Sequence, residues 1–274
     1  MKYATAQYSL GVCYSNDIGV RSNLNKAVES YKQAAEQDII EAQSDYGVLL
    51  ALRDDSRNVA LWMQKAAEKG YAPAQYNFGQ FCSMMNNLDN AIYWMEEAAE
   101  QEYKLAYLAL SNAYIWSPYE EYHDVSSAIE ILEILSIEGD AIAQYNLAGC
   151  YLNNLGVDID LDKALDFLQK SAEQGYAPAL TDLGLAYAKG LFKNLPQNYE
   201  KAKECLLKAA EQGYAWAQYN IANMYYNGLG VKKNKLKAKW YRKAAKQNVT
   251  QQIEQQASQL RQQHIHSLQN KYRL

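Results

Sequence analysis

Apolar and small residues recur along this chain at the spacing of amphipathic α-helices. In residues 143–151 they stand at i, i+4, i+7 and i+8, and in residues 164–172 at i, i+3, i+4, i+7 and i+8. Each series forms a single stripe along one side of a helix, as expected for a helix half buried against a neighbour. Similar pairs of stripes recur every 32 to 38 residues. The pattern therefore predicts an array of helix pairs.

A seven-residue sequence that joins one helix pair to the next appears three times in nearly the same form, at 68–74, 173–179 and 211–217. Its third residue is glycine, which suits the left-handed position just after a helix because it has no Cβ. In two copies a proline follows in the first turn of the next helix, where its missing N–H costs nothing. The recurrence predicts a structural joint rather than a binding site.

A constant register connects these joints to the second helix of each pair. An alanine marks the start of each first helix: Ala6, Ala42, Ala74, Ala106, Ala143, Ala179 and Ala217. An Asp or Asn precedes each second helix: Asn23, Asp55, Asn87, Asp124, Asp160, Asn198 and Asn234. We expect these residues to be N-caps, because their side chains accept a hydrogen bond from an unpaired helix N–H. The distance from a cap to the next alanine is always 19 residues, so the variation in length lies in the loop within each pair.

This register predicts one repeat domain and a tail. The repeat domain covers residues 1–248, with repeats at about 4–38, 39–71, 72–103, 104–140, 141–176, 177–214 and 215–248. Residues 249–274 are rich in Gln and carry a stripe at Ile253, Ala257, Leu260, His264 and Leu268. We expect a C-terminal capping helix and tail there, because the last unit of a stacked array must cover its core. A disordered Gln-rich tail is the alternative.

The formal net charge of −4 conceals a strong asymmetry. Residues 1–227 hold 16 Lys and Arg against 30 Asp and Glu, whereas residues 228–274 hold 11 against 1. Within the acidic part, residues 89–140 contain 12 acids and a single base, Lys104. Because a surface of one sign attracts partners of the opposite sign, this block predicts a partner with a basic contact surface.

The fifth repeat carries the motifs of a known family. They are Ala-Gln-Tyr-Asn-Leu at 143–147, Gly-Val at 156–157, Lys-Ala at 163–164 and Ala-Glu-Gln-Gly-Tyr at 172–176. In these motifs the chain resembles the Sel1-like repeat proteins, relatives of the tetratricopeptide repeats, over about residues 4–248. Repeats 2 and 3 lack the Gly-Val loop, and repeat 4 departs from the pattern in both helices.

The resemblance implies an all-α fold, an α/α superhelical solenoid of about seven helix pairs. First helices would line its concave side and second helices its convex side. It also implies a non-catalytic scaffold or adaptor that binds other proteins, often in bacteria. Some secreted members staple each repeat with a cysteine pair, but Cys13, Cys82, Cys150 and Cys205 form no such pairs.

The residues themselves also argue against an enzyme. His264 and His266 are two residues apart and diverge around a helix, and His123 stands beside a predicted cap. The four cysteines show no metal-ligand spacing, and no glycine-rich phosphate loop follows a strand. We therefore expect no catalytic residues, no cofactor, no metal and no small-molecule substrate.

Two surfaces are candidates for protein binding. The first is the concave lining, which carries Tyr at one equivalent position and polar or aromatic neighbours: Tyr8, Tyr76, Tyr145, Tyr219, Gln80, Asn112, Trp216, Asn223 and Tyr226. The second is the inner loop of repeat 4, residues 114–124, with Trp116, Tyr119 and Tyr122 among acids. Such residues supply rigid contact area and adaptable hydrogen bonds. Alternatively, the repeated Tyr packs between neighbouring first helices and the loop aromatics fold back on the stack.

An adaptor that binds a partner protein through these two surfaces is the function that the sequence predicts. An immunity-type inhibitor that occludes a toxin or enzyme is the first alternative. Nucleic-acid binding by the basic end at 232–246, with Trp240 and Tyr241 interleaved, is the alternative of another class. The acidic remainder of the chain would repel a long polyanion, so we do not expect nucleic acid to be the partner.

The hydropathy pattern predicts no membrane insertion, because no segment approaches about 18 uninterrupted apolar residues. Met1 runs directly into a helical pattern without an apolar leader. We therefore expect a cytoplasmic protein. A chain whose leader had been removed would look the same and would be periplasmic or secreted.

Overall fold

A computed structural model describes residues 2–51, 56–117 and 122–246, and these ranges consist of helices and short connections. The helices, in chain order, are α1 (Lys2–Asn16), α2 (Leu24–Ala35), α3 (Ile40–Ala51), α4 (Ser56–Ala67), α5 (Ala72–Met84), α6 (Leu88–Ala99), α7 (Lys104–Trp116), α8 (Val125–Ile137), α9 (Ala141–Asn153), α10 (Leu161–Glu173), α11 (Ala177–Lys189), α12 (Tyr199–Glu211), α13 (Ala215–Asn227) and α14 (235–246). The predicted all-α array of helix pairs is confirmed. The predicted capping helix at 249–274 lies outside the described residues.

The predicted N-caps hold wherever the structure describes them. Asn23, Asn87, Asp124, Asp160, Asn198 and Asn234 each accept a hydrogen bond from a backbone N–H in the first turn of the second helix. Asp55 is outside the described residues. Since each cap satisfies an N–H that would otherwise have no partner, the caps fix where every described second helix begins.

The joints adopt the backbone that the sequence predicts. Gly70, Gly139, Gly175 and Gly213 follow second helices with φ between 78° and 88°, in the left-handed region. Prolines lie in the first turn of α5 and of α11. Asp38 and Glu102 take the same left-handed position without being glycine. A left-handed backbone costs a residue with a Cβ more than it costs glycine.

Within a repeat the two helices come closest where the first helix carries a small residue. A Cβ added at Gly47 would lie 2.6 Å from Met63 Cγ, and one added at Gly184 would lie 2.9 Å from Leu206 Cγ. These glycines permit close approach of the helices, because a larger residue would push the partner side chain away.

The chain divides into two compact units between Leu110 and Ser111, within α7. Each unit has its own core, built from buried Ala, Leu, Val, Met and aromatic side chains of successive helices. In the first unit α3 contacts α5, and in the second unit α11 contacts α13. First helices of neighbouring repeats therefore touch each other within each unit and form a shared surface.

The structure corrects the predicted start of the repeat-4 loop. The helix α7 continues through Trp116, so residues 114–116 are helical rather than part of a loop. Ile115 is buried, whereas Trp116 at the helix end is 61% exposed. The apolar pattern of 104–116 continues to the end of the helix, and this extends α7 one turn beyond the predicted loop start.

Candidate protein-binding surface

A cleft of about 350 Å³ opens between the first helices of the second unit. It is lined by residues of α7, α9 and α11, with two contributions from neighbouring elements: Asn112, Ile115, Trp116, Tyr145, Asn146, Ala148, Gly149, Cys150, Leu152, Asn153, Leu155, Leu168 and Asp182. Three of these, Asn112, Trp116 and Tyr145, are candidates from the sequence. The structure thus brings one residue of the predicted loop and two of the predicted lining to a single place.

Hydrogen bonds between α7 and α9 and within α9 form part of the cleft wall. The side-chain amide of Asn146 on α9 donates to Asn112 Oδ1 on α7 over 3.3 Å. Asn153 Nδ2 donates to the backbone carbonyl of Gly149 over 2.8 Å. These contacts hold polar groups at the cleft edge, while Trp116 and Leu152 expose apolar surface beside them.

Tyr145 is anchored to the next repeat rather than left free. Its hydroxyl donates to Asp182 Oδ2 over 2.9 Å, and its ring meets that of Tyr176 edge-on, with centroids 5.4 Å apart. Burial raises the pKa of Tyr145, and the nearby Asp182 carboxylate raises it further. Burial likewise raises the pKa of Asp182, while the hydrogen bond from Tyr145 lowers it. Tyr145 therefore connects two neighbouring repeats and also lines the cleft.

The first unit repeats this arrangement at Tyr8. The Tyr8 hydroxyl donates to Asp45 Oδ2 over 3.2 Å, across the same separation of 37 residues. Tyr76 differs, because its hydroxyl accepts a hydrogen bond from Gln80 Nε2 over 2.9 Å on its own helix. The hydroxyls of Tyr8 and Tyr145 thus bond to an acid of the next repeat. The Tyr76 hydroxyl pairs with Gln80 instead, but its ring packs on Tyr103 with centroids 5.5 Å apart.

A second exposed group lies on α13. Trp216 is 57% exposed and its ring meets Tyr219 edge-on, with centroids 6.1 Å apart. Farther along, Arg242 stacks over the ring of Tyr226 at 4.8 Å, and its guanidinium donates to Asn223 Oδ1 over 3.5 Å. Trp216 and Tyr219 therefore remain accessible, while Tyr226 and Asn223 are engaged by α14.

Two candidates from the repeat-4 loop are not part of the described cleft. Tyr119 lies outside the described residues. Tyr122 is half-buried just before the cap Asp124 and does not line the cleft. Of the predicted loop aromatics, Trp116 alone is placed in the cleft by the described part of the chain.

Sequence reasoning missed Asn146, Gly149 and Asp182. Asn146 belongs to the repeated motif, and its place beside Asn112 depends on how α7 and α9 pack. Gly149 sits in the middle of α9, one residue after the small residue of the helix crossing. A glycine in the middle of a helix, at a position where no second helix crosses closely, could have been recognised from the sequence as unusual.

No group of three or more His, Cys, Asp and Glu in the described ranges is arranged to hold a metal ion. Cys150 is buried in the cleft wall, and burial raises the pKa of its thiol to about 11. A thiol with so high a pKa stays protonated at neutral pH and is a poor nucleophile. The described helices also include none with the length and apolar character to cross a bilayer.

Similarity to a known protein family extends over most of the chain. A family model described as Sel1 repeat matches residues 4–39, 60–71, 72–108, 141–176, 177–214 and 217–249. Together these stretches make up well over half of the chain, and the unmatched part includes most of repeat 4. The departure of repeat 4 from the pattern, which the sequence predicts, is therefore visible in this comparison.

Individual proteins are similar to this chain over nearly its whole length. A Sel1 repeat protein from Oxalobacter formigenes is 26% identical, with a TM-score of 0.67 over 94% of this chain and 76% of that one. A protective antigen of uropathogenic Escherichia coli is 29% identical, with a TM-score of 0.60 over 90% of this chain and 54% of that one. The chitin synthase regulatory factor 3 of Schizosaccharomyces pombe is 28% identical over 94% of this chain. The chain spans about a quarter of the length of that relative.

An immunity protein from Pseudomonas aeruginosa is also similar in structure. Its TM-score is 0.52 at 17% identity, over 90% of this chain and 82% of that one. At this identity the similarity shows a shared fold alone.

Proposed function

We propose that this chain, which belongs to the Sel1 repeat family, is a non-catalytic adaptor that binds a partner protein through its first-helix surface. Sel1 repeat proteins generally mediate protein–protein interaction, and the Sel1 repeat fold is typically a scaffold without catalytic activity. The surface comprises the cleft between α7, α9 and α11, and the exposed Trp216 and Tyr219 on α13.

The observation that carries this proposal is the cleft itself. It combines an exposed Trp, apolar side chains and several amide groups in a concave site. Aromatic anchors in a pocket with a polar rim are the typical centre of a protein interface. The cleft also includes Asn112, Ile115 and Trp116 of repeat 4, most of which the family model leaves unmatched. A site that departs from the family pattern can serve a partner of this chain in particular.

Charge supports a partner with a basic contact surface. The acidic block at 89–140 contributes 12 acids and one base. Opposite charges speed association and lose this effect at high salt, because ions screen them. We expect the partner and this chain to meet in the cytoplasm.

The similar proteins support the adaptor proposal and its alternatives to different degrees. The name of the Schizosaccharomyces pombe relative describes a regulatory factor, which agrees with action through binding rather than catalysis. An immunity-type inhibitor remains an alternative prediction, because the immunity protein named above shares too little sequence to argue for a shared role. Nucleic-acid binding is less favoured, since Lys233, Lys237 and Arg242 of the basic end lie over Tyr rings of their own repeat.

Capture from a native lysate with three baits tests the proposal: the wild-type chain, Trp116→Ala and Trp240→Ala. Trp240 is the matched control, because it is 65% exposed and lies on the second helix α14. We expect a protein that the wild type and Trp240→Ala enrich equally and that Trp116→Ala enriches several-fold less. Equal enrichment by all three baits, with their helicity unchanged, would contradict a role for the cleft.

A further inference from the structure

Gly149 has no structural reason to be glycine. A Cβ added there would meet no atom within 4 Å, whereas one added at Gly184 would lie 2.9 Å from a partner side chain. Glycine inside a helix lowers its stability by about 1 kcal/mol relative to alanine. The chain therefore carries a destabilising residue whose main effect is to leave space in the cleft.

The charge inside this space is negative. Among the lining residues, Asp182 is the only acid, and there is no Lys, Arg or His. Its Oδ2 accepts from Tyr145, while its Oδ1 has no hydrogen-bonding partner among the described residues. A carboxylate oxygen in a partly enclosed site offers a strong acceptor for a charged donor, because such hydrogen bonds strengthen as water is excluded.

The wall beside this acceptor is aromatic and apolar. Trp116 lines the same cleft and is 61% exposed, and Leu152 provides further apolar surface. Cations bind over the face of an indole ring, and guanidinium groups stack on aromatic planes more readily than ammonium groups do. The cleft lies at the small end of ligand-binding cavities, which suits a single long side chain.

We propose that the cleft binds an arginine side chain presented by the partner protein. The guanidinium donates to Asp182 Oδ1 and stacks on Trp116, and the open space at Gly149 admits the aliphatic part of the side chain. Lysine fits less well, because an ammonium group is more strongly hydrated and has no planar face for the indole. This inference rests on the proposed function and names the chemistry that the same site recognises.

Titration of the isotopically labelled full chain with N-acetyl-arginine methylamide tests the inference by NMR. The reporters are the backbone amide of Gly149 and the indole N–H of Trp116. We expect both to shift with the arginine compound. The neutral citrulline analogue, which has nearly the same shape, should bind about tenfold more weakly, as should the lysine analogue.

Two variants make the test specific. In Asp182→Asn the side chain still accepts from Tyr145 but loses its charge, so affinity for the arginine compound should fall about tenfold. Asp45→Asn is the matched control, because Asp45 accepts the equivalent bond from Tyr8 and does not line the cleft. It should bind like wild type. Equal binding of the citrulline analogue, or unchanged affinity in Asp182→Asn, would overturn the inference.

The outcome is separable from that of the capture experiment. If the arginine compound does not bind while a captured partner still depends on Trp116, the arginine inference is wrong and the proposed function stands. If the compound binds but no protein depends on Trp116, the cleft recognises arginine and the adaptor proposal is wrong in its choice of surface.

Discussion

The repeated tyrosine of the first helices has a different environment in different repeats. Tyr8 and Tyr145 donate to Asp45 and Asp182, each on the first helix of the next repeat. In the repeat after Tyr76 the corresponding position is Ala109, which offers no side-chain acceptor. The hydrogen-bonding partner of the tyrosine hydroxyl therefore depends on which residue the next repeat places opposite it.

Replacement of Asp182 separates binding from stability. Burial raises the pKa of Asp182, so the folded state holds its proton more tightly than the unfolded state does. Ionisation therefore destabilises the fold, and this loss grows as pH rises through the folded-state pKa. We expect Asp182→Asn to unfold at a temperature equal to or above that of wild type at neutral pH. The difference should close as the pH is lowered.

Thermal unfolding followed by circular dichroism at several pH values measures this effect. Asp166→Asn is a suitable control, because Asp166 forms an exposed ion pair with Lys170, at 2.7 Å, and should not raise the midpoint. If Asp182→Asn has a midpoint clearly below wild type at neutral pH, the buried charge stabilises the fold and this account of the Tyr145–Asp182 pair is wrong.

Two glycines should respond to the same substitution in opposite directions. Gly149→Ala should raise the free energy of unfolding by about 1 kcal/mol, because helix propensity improves and nothing is displaced. Gly184→Ala should lower it by about 1–3 kcal/mol, because the new Cβ would crowd Leu206 Cγ and the Ala202 carbonyl. Chemical denaturation gives both values. Two changes of the same sign would contradict the distinction between a packing glycine and a cleft glycine.

At the scale of helices, the sequence predicts the ends better than the interiors. The caps and joints follow from local chemistry, since an Asx side chain or a glycine acts on the backbone next to it. The α7 helix ends at Trp116, later than the predicted loop start at residue 114, because its apolar pattern continues through 114–116. Asn112 and Trp116 are recognisable individually from the sequence, but only the packed structure shows that they line one cleft with Asp182.

The joint after α6 should be open to improvement. Glu102 has a φ of 61°, a backbone region that favours glycine. Glu102→Gly should raise the free energy of unfolding by about 0.5–1 kcal/mol, because the Cβ strain is relieved. Glu100→Gly is matched in charge and should lower it, since Glu100 has a right-handed backbone with φ −58°. A loss of stability in both variants by urea unfolding would show that the left-handed residue is not strained.

At the scale of the whole molecule, charge and composition indicate a class of partner without identifying it. The chain is acidic up to residue 227 and basic after it, and these opposite regions are evident from the sequence alone. The repeat pattern in turn predicts the fold class, because each helix pair contacts its neighbours in the same way. The partner follows from neither property, since both describe the scaffold rather than the places where repeats differ.

The central claim is that a partner protein docks on the cleft at Trp116. The most direct measurement is the dissociation constant of the captured partner for the wild-type chain, Trp116→Ala and Trp240→Ala, by calorimetry at one salt concentration. Loss of a central aromatic anchor costs about 2 kcal/mol or more, so Trp116→Ala should bind roughly thirtyfold more weakly. Trp240→Ala should match wild type. Equal dissociation constants for all three would contradict the account.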